Sequence, residues 1–150
     1  MALTKIQHWQ TRAFHEFLIS RARAPFVWGV NDCALFAADG VLAITGVDIA
    51  SEFRGRYTSE AEALALIHTL TGGSTIADAA AYCAAKHEMP ERLHPLKAQR
   101  GDLVVIADPD DGGALKAALV HLNGVHVVVP GAKGLLRLNF KTIQRAWAYV

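Results

Sequence analysis

The hydrophobic period of this chain changes once, near Arg100, and that change constrains the fold more than any other feature. Upstream, apolar residues recur at helical spacing. Downstream, the runs RGDLVVIAD, ALVHLN, VHVVV, LLRLNF and AWAYV are short and β-prone, and turn formers such as Asp108-Pro109, Asn123-Gly124 and Pro130-Gly131 separate them. Asn123-Gly124 is a hairpin signal. Helices followed by closely connected strands describe an α+β domain with N-terminal helices packed on a C-terminal, mainly antiparallel sheet, not an alternating doubly wound one. With 150 residues, 52% of them hydrophobic, the chain can bury a sizeable core as a single domain over residues 1–150. No internal repeat, low-complexity tract or interdomain linker interrupts it.

The helical part divides at its breakers. Residues 4–24 place Ile6, Trp9, Ala13 and Phe17 on one face, with Phe14 and Leu18 widening the stripe, and Pro25 ends the segment. Asn31 and Asp32 then stand as capping residues before CALFAADGVL, a helix apolar nearly all round that runs to about Thr45-Gly46. Residues 59–62 (SEAE) have capping-box spacing and open a helix through Leu70, closed by Gly72-Gly73. Another helix runs from about Thr75 to His87, where Cys83 reads as core filler. In the loop between, Arg54 and Arg56 flank Gly55; the aromatics Phe53 and Tyr57 read as its anchors and the arginines as solvated.

Charge excludes some classes of partner. Fifteen basic and fourteen acidic residues leave a net charge of +1 with no dense basic run, so no nucleic-acid footprint is visible. No stretch of about 18 apolar residues offers a membrane segment, and no basic-then-apolar signal opens the chain. No histidine, cysteine or carboxylate grouping has metal-ligand spacing. The acidic run 108–113 (DPDDGG) hints at calcium but lacks the downstream glutamate of a calcium loop, and reads as a solvated turn.

The chemically suggestive residue is Cys33. It falls in the first turn of its helix, where unpaired N–H groups and the positive end of the dipole favour a thiolate, while Asp32 opposes ionisation by charge. A cysteine nucleophile needs an imidazole to take its proton. The strand region offers His121 in ALVHLN and His126 in VHVVV; of these, His121 is the candidate base, and no third catalytic member is evident. Such chemistry requires no cofactor and no metal.

Three places resemble the NlpC-type branch of papain-like cysteine peptidases, which cut peptide crosslinks in bacterial cell walls. Pro25-Phe26-Val27-Trp28-Gly29 with Asp32-Cys33 resembles the family's Pro-Tyr-x-Trp-Gly-Gly and Asp-Cys-Ser; Gly101-Asp102-Leu103-Val104 resembles its Gly-Asp-Leu-Val strand; and residues 118–124 (ALVHLNG) resemble its His-Val-Gly-Ile-Tyr-Leu-Gly strand. More closely, WGVNDCALFAADGV with TGVDIA and FRGRY is similar to a family of small proteins encoded among the tail genes of long-tailed phages and prophages. The resemblance implies a papain-like (NlpC-type) fold. It also implies a place in the virion, at the tail baseplate or tip, after synthesis in the bacterial host cytoplasm, with neighbouring tail hub and tip proteins as partners.

Departures from the peptidase pattern bear on activity. Phe26 replaces a tyrosine, Val30 a glycine and Ala34 a serine. Aligning the strand on Gly124 puts Ala118 where the catalytic histidine belongs, and strand alternation turns His121, three positions on, to the opposite face. Two expectations follow. One is a structural adaptor that keeps a peptidase-derived fold. The other is an active peptidase in which Cys33 attacks a peptidoglycan stem-peptide bond and His121 serves as base.

Overall fold

Four helices come first, and the last three open on a side-chain cap. In the computed structural model, which describes residues 2–150, α1 spans Ala13–Arg21, α2 Cys33–Thr45, α3 Glu60–Thr71 and α4 Ile76–Lys86. The side chains of Asp32, Ser59 and Thr75 accept hydrogen bonds from the N–H groups of Leu35, Glu62 and Asp78, as capping residues do. Gly46 and Gly72 close α2 and α3 in the left-handed conformation that glycine adopts without steric cost. Around α3 the Glu62 carboxylate reaches back to the N–H and hydroxyl of Thr58, and the full reciprocal capping box belongs to Thr75 and Asp78 of α4.

The first helix is shorter than its periodicity predicts. Residues 7–12 form turns, and α1 begins only at Ala13. The Ile6 N–H donates to the Ile44 carbonyl at the end of α2, and His8 takes a positive φ of 61°, so this stretch docks on α2 instead of extending α1. Its buried residues are Phe14 and Leu18, while Ile6, expected on the apolar stripe, is 43% exposed.

Five strands follow: β1 (Leu103–Asp108), β2 (Ala114–Val120), β3 (His126–Gly131), β4 (Gly134–Asn139) and β5 (Ile143–Trp147). They form one antiparallel sheet in the order β4-β3-β2-β1-β5. Strand alternation sorts its side chains. Leu103, Val105, Ala117, Leu119, Val128 and Trp147 join the helices in the larger core cluster. Val104, Ile106, Ala118, Val120, Val127 and Val129 fill a second cluster on the opposite face. The two edge strands are connected through the single turn Phe140–Thr142, and Phe140 packs against that second cluster.

Helix α2 is the central packing element. Phe36, Val41 and Ile44 are fully buried, and Gly40 lets Leu119 come so close that a Cβ at position 40 would lie 2.1 Å from Leu119 Cδ1. No helix among the described residues is long and apolar enough to cross a membrane.

Candidate functional site

The site is built around the start of α2, and Asp32 organises it. This carboxylate is 1% exposed. Its Oδ1 accepts from the Leu35 N–H at 2.8 Å; its Oδ2 accepts from the Gly29 N–H at 3.0 Å and from the Tyr57 hydroxyl at 2.6 Å. One side chain therefore caps α2, fixes the turn before it and ties both to the loop 46–59. Gly29 is required where it stands: φ is +77°, and a Cβ there would lie 2.2 Å from the Tyr57 carbonyl oxygen. Burial, followed by the hydrogen bond to Asp32 and that carboxylate's charge, holds the Tyr57 hydroxyl protonated far above its usual range. Asn31 is also buried and donates to the Ala24 and Pro25 carbonyls while accepting from Arg21.

Cys33 is the first residue of α2, as the sequence predicts. It opens on a cavity of about 380 Å³ between α2, α3, α4 and the start of β2, with Trp28, Tyr57, Ile67, Ala80, Cys83 and Ala117 among its lining. An empty closed void of that size would cost on the order of 9 kcal/mol at about 24 cal/mol per Å³, comparable to a domain's entire stability. The space is instead a cleft that reaches solvent at the exposed lining side chains of Glu60, Leu64 and Leu115.

The electrostatics at Cys33 oppose ionisation. Burial pushes its thiol up to about 11, and the neighbouring Asp32 charge adds to that; backbone N–H groups of Ala117 and Ala34 and the Lys116 ammonium only partly offset it. The helix start alone does not make a thiolate when an apolar cleft surrounds the sulfur. Cys83, on the cleft's inner wall, is pushed up to about 12, burial again leading. Both cysteines are free thiols.

No histidine lines the cleft among the described residues. Cys33, at the N-terminal end of α2, lines the cleft together with Ala117 of β2, whereas Gly40 packs on Leu119. His121 lies beyond the end of β2, about 13 Å along the strand direction from Ala117 at roughly 3.3 Å per residue. There it holds the turn: its N–H donates to the His126 carbonyl, and its Nδ1 accepts from the Asn123 N–H at 2.9 Å. Burial, then the charge of Arg137, holds it below the usual imidazole range. Ala118 points into the second cluster, away from Cys33, and the residue that faces the thiol is Ala117. Either register leaves an alanine where a base would stand.

Other sequence candidates are structural. Arg54 pairs with Asp39 at 2.8 Å and with Asp48 at 2.9 Å, so it braces α2 against the following loop where solvation was expected. Its neighbours Phe53 and Tyr57 are buried, as loop anchors should be. In the acidic turn, Lys116 sits between Asp108 and Asp111 at 2.8 and 3.1 Å and pairs with both. Asp102, in the Gly-Asp-Leu-Val stretch, is buried against Arg92 and accepts from the Gln99 N–H. The residue that sequence reasoning missed is Tyr57. Its sequence context marks it as a loop anchor only, and nothing at a separation of 25 residues announces its bond to Asp32.

No curated protein and no solved structure matches this chain. A family model does match, over residues 4–149, and the chain belongs to that family, a domain of unknown function (DUF6950).

Proposed function

We propose that the protein is a component of a phage or prophage tail, at the baseplate or tail tip, whose papain-like (NlpC-type) frame has lost its chemistry and serves as a structural adaptor between neighbouring tail proteins. The observation that carries the loss of chemistry is the wall opposite Cys33. Leu115 and Ala117 occupy the side of β2 that faces the thiol, no histidine lines the cleft, and burial holds the sulfur protonated at neutral pH. A papain-type nucleophile needs a base within hydrogen-bond reach. The tail assignment is supported by the similarity of WGVNDCALFAADGV, TGVDIA and FRGRY to small tail-gene products. What the fold retains is the buried Asp32 junction, which fixes the loop surfaces around the start of α2 in one arrangement.

A second reading, an active peptidase acting on peptidoglycan stem peptides, is favoured by one feature: Cys33 stands in the first turn of α2 beside an open cleft. Complementation of a gene deletion separates the two. An adaptor predicts that the deletion blocks tail completion and that Cys33→Ser restores both assembled tails and plaque yield. Normal tails with lost infectivity through an intact cell wall would establish the peptidase instead.

A further inference from the structure

The cleft is bordered by a strand edge that has lost its neighbour. In an antiparallel ladder, successive residues turn their backbone groups to alternate sides. The Val120 N–H donates to the Asp102 carbonyl beside β1, and the His121 N–H donates to the His126 carbonyl beside β3. Odd-numbered residues of β2 therefore address the β3 side. Yet β3 pairs only with Leu119 and Val120. Continuing that register would set Pro130 opposite Ala117, and proline has no N–H to give. The two strands part there, and the start of α2 lies beside the gap, with Cys33 and Ala117 lining the same cleft. One step further out, Leu115 has no strand beside it on that side, and its side chain is 40% exposed at the mouth of the cleft.

Two further observations bear on what fits. The cleft floor is lined by small apolar side chains, among them Ala37, Ala63, Ala79 and Ala80, which leave room for a branched or aromatic group. At the mouth stands Glu60, exposed and without an ion-pair partner among the described residues. A neighbouring strand edge, an apolar hole and a free carboxylate match the chemistry of an extended polypeptide: backbone groups for the edge, one large apolar side chain for the hole, and a basic residue for the carboxylate.

We propose that an extended segment of a partner protein adds to β2 at Leu115, seats a large apolar side chain in the cleft beneath Trp28 and Tyr57, and places a lysine or arginine against Glu60. This names the partner chemistry of the adaptor and rests on that reading. The test uses only purified protein, so its failure is distinguishable from failure of the complementation assay.

The full chain is panned against a displayed library of random octapeptides, and an enriched peptide is synthesised for fluorescence anisotropy. Enriched sequences should share one leucine, isoleucine, methionine or phenylalanine with a basic residue within two positions. Ala63→Leu, which fills the cleft, should weaken binding at least tenfold. Glu60→Gln, an exposed change that leaves the fold intact by circular dichroism, should weaken it about threefold. That loss should vanish for the peptide whose basic residue is replaced by glutamine. Bound peptide should also slow hydrogen exchange at the Leu115 amide. The proposal is overturned by no enrichment over the Ala63→Leu protein, by equal binding to all three proteins, or by unchanged exchange at Leu115. Cleft-dependent binding of dodecanoate without peptide selection would assign the space to an acyl chain, and a concentration-dependent dimer lost in Ala63→Leu would assign it to a second copy; either overturns the proposed occupant.

Discussion

Replacing Asp32 by alanine tests the junction on which the site depends. The substitution removes three acceptor contacts, to Leu35, Gly29 and Tyr57. Loss of an N-cap alone costs about 1 kcal/mol. The Tyr57 hydroxyl is then buried without its partner, which adds about 1 to 3 kcal/mol. The Gly29 N–H is only partly buried and can turn to water, so it contributes less. We expect Asp32→Ala to lower unfolding free energy by about 2 to 4 kcal/mol, measured by urea denaturation followed through tryptophan fluorescence. That leaves a folded protein if the domain has an ordinary stability of about 5 to 15 kcal/mol. Tyr57→Phe should cost about 1 to 2 kcal/mol, and the double variant should cost less than the sum by a similar amount, because the shared hydrogen bond is counted once. A loss below about 1 kcal/mol for Asp32→Ala, or strict additivity in the cycle, would refute the junction as described.

Three further outcomes are expected. Gly29→Ala should destabilise by about 2 to 4 kcal/mol, since it combines a left-handed backbone with contact on the Tyr57 carbonyl. Gly46→Ala, with a similar φ of +79° but open space, should cost only about 1 kcal/mol in the same denaturation assay. Alkaline stability should reflect Cys33: with its pKa raised from 9.0 unfolded to about 11 folded, its contribution is fully present below pH 9 and is lost as pH rises towards 11. The loss is at most about 2.7 kcal/mol, less what water recovers at the partly exposed residue, and Cys33→Ala should make the fall across that window shallower without abolishing it, because Cys83 and Tyr57, both pushed up by burial, lose stability there too.

What could be read from the sequence was local. The Asn31-Asp32 pair announced the start of α2, and the turn formers after Arg100 announced the sheet, because capping and turn chemistry depend on residues close in the chain. The arrangement of the site depends on such neighbours only in part, through the Gly29 and Leu35 bonds to Asp32. The Asp32–Tyr57 bond joins residues 25 apart. Strand parity was the subtler failure. The alignment on Gly124 set Ala118 against the thiol, but the strand begins earlier, at Ala114, and presents Ala117, since one residue of register exchanges the two faces of a sheet. The expected first helix failed similarly: its periodicity continues through Ile6 and Trp9, but the docking of Ile6 on the end of α2 outweighs helix propensity there.

The most direct measurement is the pH dependence of Cys33 alkylation by iodoacetamide, resolved from Cys83 by mass spectrometry of the digested protein. A dormant thiol in an apolar cleft predicts a single rise with its midpoint at about 11, no labelling shoulder below pH 8, and the same curve in His121→Ala. A rapid labelling phase with a midpoint below about 7, abolished by His121→Ala, would contradict the adaptor account and restore the cysteine–histidine pair.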